Sequence, residues 1–423
     1  MPSKNSPRYT PRILDAQLSA KLAASGAVLI KGPKFCGKTE TAKQFAKSIL
    51  EMDRNPQVPI IMATQPGLLL AGETPRLIDE WQIEPEIWNY VRHEVDDRKR
   101  KGQFILTGSS NPQTEGNLHS GSGRFTVIPM DTMTWQELGY SNGTVKLGNL
   151  LHGRMVESTP TTVALDQIIE RMLVGGWPAL LGETPSNAMM LNRGYVDLLC
   201  ETNLTWGTGI RRDPLKIKNL LRSLARNTAT MVSNKALEQD VMTTERNEIS
   251  RNTVSEYLDA LIRLMVVFEQ PAFNTHLRSA ASLRKSSKKH FCDPSLAAAV
   301  LGLDHEALVQ DLRYTGFLFE TLAVHELKVY GQANDAEVYH YHDSYGMEVD
   351  AIVQHRNGNY AAFEIKLGVG HIEEAAKNLK KFEANVDTSK MRLPKSLNIL
   401  TGTGMSYRRS DGVQVVSLAA LGV

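Results

Sequence analysis

Eight residues, Gly32-Pro33-Lys34-Phe35-Cys36-Gly37-Lys38-Thr39, decide how the first part of this 423-residue sequence is interpreted, because they match the pattern GxxxxGK[ST] in full. The apolar run at residues 27–30 precedes them and predicts a strand, and residues 39–50 predict a helix. In such a strand, loop and helix, glycines let consecutive backbone N–H groups point into one concavity, and the helix N-terminus adds positive potential. The sequence therefore predicts a site for the phosphates of a nucleoside triphosphate.

Every residue of the octapeptide is a candidate contact of the nucleotide, and two of them have a distinct chemistry. The Lys38 ammonium would reach the β and γ phosphates, and the Thr39 hydroxyl would ligate Mg²⁺. The alternative is a glycine turn that carries an incidental lysine. The flanking strand and helix favour the nucleotide site.

A short apolar strand at residues 76–78 is followed by two acidic residues, as the second half of such a site requires. Asp79 would hold the Mg²⁺ through water, and Glu80 would polarise the attacking water. The alternative is an acidic pair in the first turn of a helix, where carboxylates are favoured. The position of the pair, after the octapeptide and one intervening strand, favours the metal site.

A third strand, at residues 104–106, leads into small polar side chains. Thr107 and Ser109 are candidates for sensing the γ-phosphate or positioning water. The Ser-Ser-Asn-Pro sequence at residues 109–112 is also typical of an ordinary turn, so both interpretations stay open.

The composition is that of a globular protein: 42% of the residues are hydrophobic and 22% are charged, which disfavours disordered and fibrous classes. Lys and Arg number 48 against 46 Asp and Glu, so the average charge indicates no partner. The three cysteines, Cys36, Cys200 and Cys292, lie far apart, which excludes a disulfide framework and a CxxC metal site. The apolar runs fall short of the roughly 20 residues of a membrane span, and residues 1–10 lack a signal-peptide core. We expect a cytoplasmic protein with no membrane partner.

The pattern of elements predicts an α/β chain of three domains, at residues 1–155, 156–275 and 276–423. The first alternates short apolar runs with amphipathic segments, which is typical of a parallel sheet covered by helices. Helical periodicity dominates the second, and the third reads as helix, three strands, helix, strand. Residues 140–160 contain several turn signals and are predicted to form a linker or an irregular insertion. The predicted strands of the first sheet are residues 27–30, 59–62, 77–78 and 104–106.

The helical middle contains a pattern similar to a winged helix. Ser233 or Asn234 is predicted to cap a shorter helix and Ser250 the helix after it, and a strand is predicted at residues 264–268. Residues 251–253 would then lie at the exposed start of a recognition helix for DNA. The alternative is a packing or protein-contact unit, because no pair of residues suited to reading bases stands out.

Two carboxylates are predicted to meet in the last domain. Strands at residues 347–354 and 360–367, joined by a turn at residues 357–359, would place Asp350 beside Glu364 across the ladder. With Lys366 two residues further on, they would form a Mg²⁺ site with a cation for the attacking water or a scissile phosphate. The alternative is a solvated strand face on which acidic and basic residues alternate.

The octapeptide, residues 75–82 and residues 106–110 together resemble a widespread group of bacterial and archaeal AAA-type ATPases. Residues 123–138 also resemble the segment that follows in that group. The resemblance extends over nearly the whole chain and includes a C-terminal domain of unknown function. It implies an ATP-hydrolysing enzyme with ATP and Mg²⁺ as cofactors, and it agrees with a winged-helix element in the middle.

The C-terminal pattern resembles the PD-(D/E)xK nuclease fold, which implies a restriction-endonuclease-like α/β domain. The resemblance carries Glu320, Asp350, Glu364 and Lys366 over as site residues, with Glu320, Asp350 and Glu364 as metal ligands. It leaves His325 or Glu326 open as accessory residues. A basic run could supply phosphate contacts or form a solvated linker; its members are Arg278, Arg284, Lys285, Lys288 and Lys289.

The leading hypothesis is an ATPase whose nucleotide state controls a C-terminal nucleic-acid-directed module. A nucleotide-dependent interaction switch with an inactive C-terminal scaffold is the second hypothesis, and a DNA-binding regulator is the third. The sequence leaves DNA, RNA, another protein and a second copy of the chain open as partners.

Overall fold

The computed structural model describes residues 9–109, 120–160, 163–203, 213–244, 249–273, 286–343 and 345–423. The chain forms two compact units. The N-terminal unit consists of Met1–Met133, Trp177–Ala179 and Arg263–Met265, and the C-terminal unit consists of Thr134–Gly176, Leu180–Ile262 and Val266–Val423. Within the described ranges, every helix is too short or too polar to span a lipid bilayer.

The N-terminal unit alternates strands with short helices. Its elements are α1 (Leu14–Ala24), β1 (Ala27–Lys31), α2 (Lys38–Lys43), β2 (Ser48–Glu51), α3 (Val58–Thr64), α4 (Gly67–Leu70), β3 (Arg76–Asp79), α5 (Ile87–Arg98), β4 (Phe104–Gly108) and β5 (Phe125–Pro129). A 3₁₀ turn, Trp81–Ile83, follows β3.

The five strands of this unit form one parallel sheet in the order β2-β3-β4-β1-β5. Buried apolar residues cover both of its faces. Leu29 packs in a cluster with Trp81 and Trp88, whereas Val28 packs in a second cluster with Leu18. A strand that is buried on both faces needs a continuous apolar run, which is why β1 and β4 were predictable. The predicted parallel sheet is confirmed.

Two predicted elements of this unit are wrong. The helix predicted at residues 39–50 ends at Lys43, and the strand predicted at residues 59–62 is part of helix α3. The edge strand of the sheet is instead Ser48–Glu51, whose Ile49 pairs with Leu77. The physical reason is that a short apolar run has the same composition in a buried helix and in a strand, so only pairing within the sheet decides.

The first part of the C-terminal unit is mainly helical, and its last part contains a six-stranded sheet. Its elements are β6 (Val145–Lys146), α6 (Leu147–Leu151), α7 (Leu165–Val174), α8 (Pro185–Leu198), α9 (Pro214–Arg226), α10 (Asn234–Thr244), α11 (Arg251–Arg263), β7 (Val267–Gln270), β8 (Lys288–Phe291), α12 (Pro294–Leu301), α13 (His305–Gln310), α14 (Leu312–Ala333), β9 (Ala336–His342), β10 (Glu348–His355), β11 (Tyr360–Lys366), α15 (Ile372–Ala384), β12 (Ser396–Thr401), β13 (Tyr407–Arg408), β14 (Gln414–Ser417) and β15 (Leu421–Gly422).

Six strands of this unit form a mixed sheet in the order β13-β14-β12-β11-β10-β9. Strands β9, β10 and β11 are antiparallel neighbours, and β12 runs parallel to β11. Helix α15 packs on the sheet through Ala375, Leu379 and Phe382. The predicted succession of helix, three strands, helix and strand is therefore observed as α14, β9, β10, β11, α15 and β12.

The middle helices begin where the sequence predicts. The Ser233 hydroxyl accepts a hydrogen bond from the Ala236 N–H at 3.1 Å, and the Ser250 hydroxyl accepts one from the Thr253 N–H at 3.2 Å. The strand β7 follows and pairs with β8 in antiparallel orientation. The winged-helix assignment of this segment stays a prediction.

Residues 140–160 are not a free linker, because β6 pairs in parallel with β15 through Val145 and Leu421. The Ser141 hydroxyl donates to the carbonyl of Leu421 at 2.5 Å. Residues 134–155, which the predicted boundaries assign to the first domain, therefore lie in the C-terminal unit. The division at residues 155 and 275 stays a prediction.

Candidate functional site

The octapeptide lies where the sequence predicts, between the end of β1 and the start of α2. Two of its glycines are required by the geometry. A Cβ at Gly32 would collide with the carbonyl oxygen of Met130, and Gly37 has a φ of +102°, which favours a residue without a Cβ. The loop is therefore held in the tight conformation that turns backbone N–H groups inward.

Lys38 lies inside the loop and not on its surface. Its side chain is buried, and its ammonium donates to the carbonyls of Gly32 at 3.0 Å and Pro33 at 2.9 Å. These contacts keep the positive charge at the centre of the loop, as a lysine that binds the β and γ phosphates requires. The prediction for Lys38 agrees with this placement.

Asp79 joins the three segments that the sequence predicted to form one site. Its Oδ1 accepts a hydrogen bond from the Thr39 hydroxyl at 2.8 Å and a second one from the Thr107 hydroxyl. Asp79 and Thr107 are buried at the ends of β3 and β4, and Thr39 lies in the first turn of α2. Hydroxyl and carboxylate oxygens are the ligands that Mg²⁺ prefers. Thr39 and Asp79 therefore fit a nucleotide-bound Mg²⁺, with the remaining ligands supplied by phosphates and water.

Glu80 follows Asp79 with a left-handed backbone, at a φ of +54°. Its Oε2 accepts a hydrogen bond from the side-chain amide of Gln82. Adjacent carboxylates at a strand end thus receive different partners, as the separate roles predicted for Asp79 and Glu80 require. Ser109 is buried directly after β4, and its contact with a phosphate stays a prediction.

Arg12 is a residue of this site that the sequence did not indicate. Its side chain is buried, and its guanidinium donates to the carbonyl of Cys36 at 2.8 Å and to that of Asp131 at 2.9 Å. Nearby, the Tyr9 hydroxyl donates to Asp15 at 2.8 Å and lies 3.1 Å from the Thr41 hydroxyl. The residues before α1 therefore brace the loop. The sequence feature that could have indicated this role is helix α1, because its apolar residues pack against the sheet and so place the preceding segment near the loop.

The Cys36 thiol is a packing group of the loop. Burial raises its pKa, and its Sγ lies 3.6 Å from the carbonyl oxygen of Met130. A thiol with a raised pKa is a weak nucleophile at neutral pH. Its place in the octapeptide is therefore structural.

In the C-terminal unit, β10 and β11 bring the predicted carboxylates together. The register pairs Ala351 with Phe363, so that Asp350 and Glu364 are neighbours across the ladder. Asp350 Oδ2 accepts a hydrogen bond from the Ile365 N–H at 2.8 Å. The juxtaposition that the sequence predicts for these two side chains is therefore observed.

Two lysines form ion pairs with the carboxylates of this region. The Lys366 ammonium lies 2.8 Å from Glu364 Oε2 and 3.4 Å from Asp350 Oδ2. The Lys288 ammonium lies 2.7 Å from Glu320 Oε1, 2.8 Å from Glu348 Oε1 and 3.8 Å from Asp350 Oδ1. We call these residues the carboxylate cluster; its members are Lys288, Glu320, Glu348, Asp350, Glu364 and Lys366.

The electrostatics of the carboxylate cluster follow from its burial. Burial raises the pKa of Glu320 to about 7 and that of Glu364 to about 8. Burial also opposes the charged form of Asp350, but Lys288 and Lys366 lower its pKa below the ordinary value. Burial opposes the charge on each lysine, yet the carboxylates around them raise the pKa of both ammonium groups. Both lysines are therefore charged at neutral pH.

The carboxylate cluster does not fit a divalent cation. The oxygens that would face the metal already face ammonium groups, and Glu364 Oε1 accepts a further hydrogen bond from Asn378 at 2.6 Å. Across the described part of the chain, no three acidic, histidine or cysteine side chains are arranged as ligands of a metal ion. The metal role of Glu320, Asp350 and Glu364 stays a prediction, and the contacts of Lys288 oppose it.

Other predicted residues of this region have different partners. Glu326 accepts hydrogen bonds from the Trp135 N–H at 3.0 Å and from the Tyr330 hydroxyl at 2.5 Å, and His325 lies 3.6 Å from it. Lys289 is buried and donates to the carbonyl of Val232 at 3.0 Å.

Ion pairs and hydrogen bonds inside the unit hold the side chains of Lys288 and Lys289, so neither alternative left open by the sequence, a phosphate contact or a solvated linker, describes these two residues. The other three members of the basic run, Arg278, Arg284 and Lys285, lie outside the described residues. A cavity of about 760 Å³ opens onto the carboxylate cluster, and Arg313 and Thr403 are also in its wall.

Three families match successive parts of the chain. Residues 24–139 match an AAA domain, residues 165–307 match a domain of unknown function (DUF8612), and residues 315–421 match another domain of unknown function (DUF4143). Each family covers less than half of the chain, so each describes a segment.

Two relatives are uncharacterized proteins of Mycobacterium bovis and Mycobacterium tuberculosis. Each is 23% identical over 356 residues, which cover 83% of this chain and 72% of the relative.

Among solved structures, the chain is 15% identical to a signal transduction ATPase with numerous domains and a tetratricopeptide repeat sensor from Pyrococcus horikoshii. That match covers 77% of this chain and 49% of the other, about half of its length, with a TM-score of 0.25. At that TM-score the likeness supports no inference about this chain. The AAA match and the geometry around Lys38 and Asp79 together support a P-loop ATPase domain in residues 24–139.

Proposed function

We propose that this protein binds ATP together with Mg²⁺ at the octapeptide and hydrolyses it. The observation that carries the proposal is Asp79, whose carboxylate accepts hydrogen bonds from both Thr39 and Thr107. Three segments that are distant in sequence thus present hydroxyl and carboxylate oxygens beside a buried lysine. P-loop ATPases require these groups for the nucleotide and its metal.

Each residue of the site has a separate role in this reaction. Thr39 and Asp79 would hold Mg²⁺, which when bound neutralises charge on the phosphates. Lys38 binds the phosphate oxygens, and Glu80 orients and deprotonates the attacking water. Thr107 and Ser109 at the end of β4 would sense the γ-phosphate. Arg12 would not contact the nucleotide; it positions the loop through the carbonyl of Cys36.

Two substitutions test the proposal, one for binding and one for turnover. Lys38→Ala should abolish tight binding of ATP in isothermal titration, because it removes the buried cation of the loop. Glu80→Gln should keep ATP binding and lose turnover by about 10²-fold or more, since one aligned catalytic group is removed. Glu40→Gln is a matched control, because Glu40 is an exposed carboxylate of the same region that forms a surface ion pair with Lys43.

Unchanged ATP affinity in Lys38→Ala would exclude the octapeptide as the nucleotide site. Unchanged turnover in Glu80→Gln would remove Glu80 from the mechanism and leave the binding site intact. The two variants therefore test different parts of the proposal.

For the C-terminal unit, we propose a module whose action depends on the nucleotide state, with two candidate actions. The first is nucleic-acid-directed. The cavity beside the carboxylate cluster supports it, because the exposed Arg313 in its wall could contact phosphates. The second is an interaction switch with a catalytically inactive scaffold, and the contacts of Lys288 with Glu320 and Glu348 favour it.

A cleavage assay separates the two candidates. Single-stranded DNA, duplex DNA and RNA are incubated with Mg²⁺ or Mn²⁺, with and without ATP. Cleavage that Asp350→Ala abolishes, with ATP turnover unchanged, would establish the nuclease. Binding without cleavage would indicate a DNA- or RNA-binding regulator, and neither binding nor cleavage would leave the interaction switch.

A further inference from the structure

The site of this inference is the carboxylate cluster of the C-terminal unit. We propose that Lys288 is the resident cation of that cluster and takes the place that a divalent metal ion occupies in an active metal-dependent site. The inference deepens the second candidate action above and rests on it. It assigns a function to a lysine of the basic run, for which the sequence left a phosphate contact and a solvated linker open.

The sequence position of Lys288 explains how its ammonium reaches the cluster. Strand β8 pairs with β7, and the register places Lys288 opposite Gln270. The side-chain amide of Gln270 donates to the carbonyls of Tyr339 and Asp350, each at 3.0 Å. The two-stranded ladder is therefore anchored to β9 and β10, and it directs Lys288 into the interior, where its side chain is 3% exposed.

The contacts of the ammonium match those of a bound cation. An ammonium has three donors and no acceptor, and three carboxylates from two elements face it: Glu320 from α14, and Glu348 and Asp350 from β10. The distances are 2.7, 2.8 and 3.8 Å. Two of these carboxylates are metal ligands in the predicted nuclease site, so the lysine uses the same oxygens.

A metal ion and the Lys288 ammonium cannot share this position. Mg²⁺ binds oxygen at about 2.0–2.1 Å and needs about six oxygen ligands, but an ammonium at hydrogen-bond distance already faces Glu320 and Glu348. Two positive charges within about 4 Å of each other in a buried site also repel strongly. The second lysine, Lys366, adds a further positive charge next to Asp350 and Glu364.

The formal charges of the carboxylate cluster also disfavour a divalent metal ion. Four carboxylates and two ammonium groups meet in the cluster, so the ammonium groups offset half of its formal negative charge. This offset weakens the attraction of the carboxylates for a divalent ion. The removal of Lys288 alone would restore the negative charge and the space that a metal site needs.

The test is metal-dependent thermal stability of the full chain, measured without nucleotide so that ATP turnover does not enter. Lys288→Met keeps the length of the side chain and removes its charge. We expect a lower melting temperature in EDTA, because unpaired buried carboxylates destabilise the fold. Mn²⁺ at a hundredfold excess over its Kd should then raise the melting temperature by about 5–10 °C, by binding only the folded state.

Lys289→Met is the matched control. Lys289 is the next residue of the same strand and is also buried, but its ammonium pairs with Glu269 at 3.5 Å and donates to the Val232 carbonyl, outside the cluster. Lys289→Met and the wild type should show no Mn²⁺-dependent rise. In the Lys288→Met background, Asp350→Asn should remove the rise.

An Asp350-dependent rise of equal size in the wild type would overturn the proposal, and so would a folded Lys288→Met protein that shows no rise. If Lys288→Met does not fold, Mn²⁺ titration of the wild type and of Asp350→Asn by electron paramagnetic resonance decides. Binding that depends on Asp350 in the wild type would refute the role of Lys288, and its absence would support that role. None of these readouts depends on ATP hydrolysis, so failure here is distinct from failure of the ATPase proposal.

Discussion

Arg12→Ala tests whether the segment before α1 sets the conformation of the nucleotide loop. The substitution removes two buried hydrogen bonds from a guanidinium, at 2.8 Å to Cys36 and at 2.9 Å to Asp131. A hydrogen bond to a charged group contributes about 1.5–3 kcal/mol to stability. The two bonds together therefore stabilise the N-terminal unit by about 3–6 kcal/mol, and the substitution removes this donor from both carbonyls.

ATP affinity should fall with this loss. Arg12 holds the carbonyl of Cys36, which is next to Gly37 and Lys38, so a loop released from it samples conformations that do not bind phosphate. A loop that is correctly folded only one tenth of the time binds ATP ten times more weakly. We expect at least a tenfold increase in Kd by isothermal titration, together with faster amide hydrogen exchange in peptides that cover β1 and α2.

Arg54→Ala is the control, because Arg54 is an exposed arginine of the same unit whose ion pair with Glu51 spans 3.5 Å. An exposed pair of this kind contributes at most about 1 kcal/mol, so both readouts should stay at wild-type values. If Arg12→Ala binds ATP with wild-type affinity and exchanges at the wild-type rate, the bracing role of Arg12 is refuted. Faster hydrogen exchange with an unchanged Kd for ATP would mean that Arg12 stabilises the N-terminal unit without affecting ATP binding.

Three further predictions concern single positions. Gly32→Ala should abolish ATP binding in a titration while circular dichroism keeps its helical signal, because the added methyl group collides with the Met130 carbonyl. Burial raises the pKa of Glu364 to about 8, above its ordinary 4.5. The stabilising contribution of Glu364 is therefore complete below pH 4.5 and is lost as the pH rises through about 8. Glu364→Gln should flatten the pH dependence of the melting temperature over that interval, and an unchanged slope would contradict the assignment. Ser250→Ala removes the cap of α11 at Thr253 and should lower the free energy of unfolding by about 1 kcal/mol in urea, whereas Ser250→Asp should keep it.

The nucleotide site was predictable because its signals are local. The octapeptide specifies its own turn through Gly32 and Gly37, and Asp79 follows directly from a buried apolar strand. Parallel strands place their carboxyl ends at one edge of the sheet, so the convergence of Thr39, Asp79 and Thr107 follows from the element order alone.

The carboxylate cluster was only half predictable, because its cation comes from a distant segment. A hairpin register links Asp350 to Glu364, and that register is readable from the turn between them. Nothing near Lys288 indicates burial: its neighbours in sequence are polar, and strand β8 acquires its place only by pairing with β7. The same limitation explains why the edge strand Ser48–Glu51 was read as the end of a helix.

The pairing of β6 with β15 has a consequence for the order in which the protein assembles during synthesis. The five strands of the N-terminal sheet all lie within residues 27–129 and can pair as soon as that stretch has left the ribosome. The C-terminal unit starts at Thr134, but its strand β6 can pair only after Leu421 of β15 has been synthesised, because Val145 pairs with Leu421. Until Leu421 has been synthesised, β6 therefore has no strand to pair with, and unpaired strands are targets of chaperones and proteases. Tags or truncations that disturb Leu421 should reduce the yield of folded protein without touching either group of site residues.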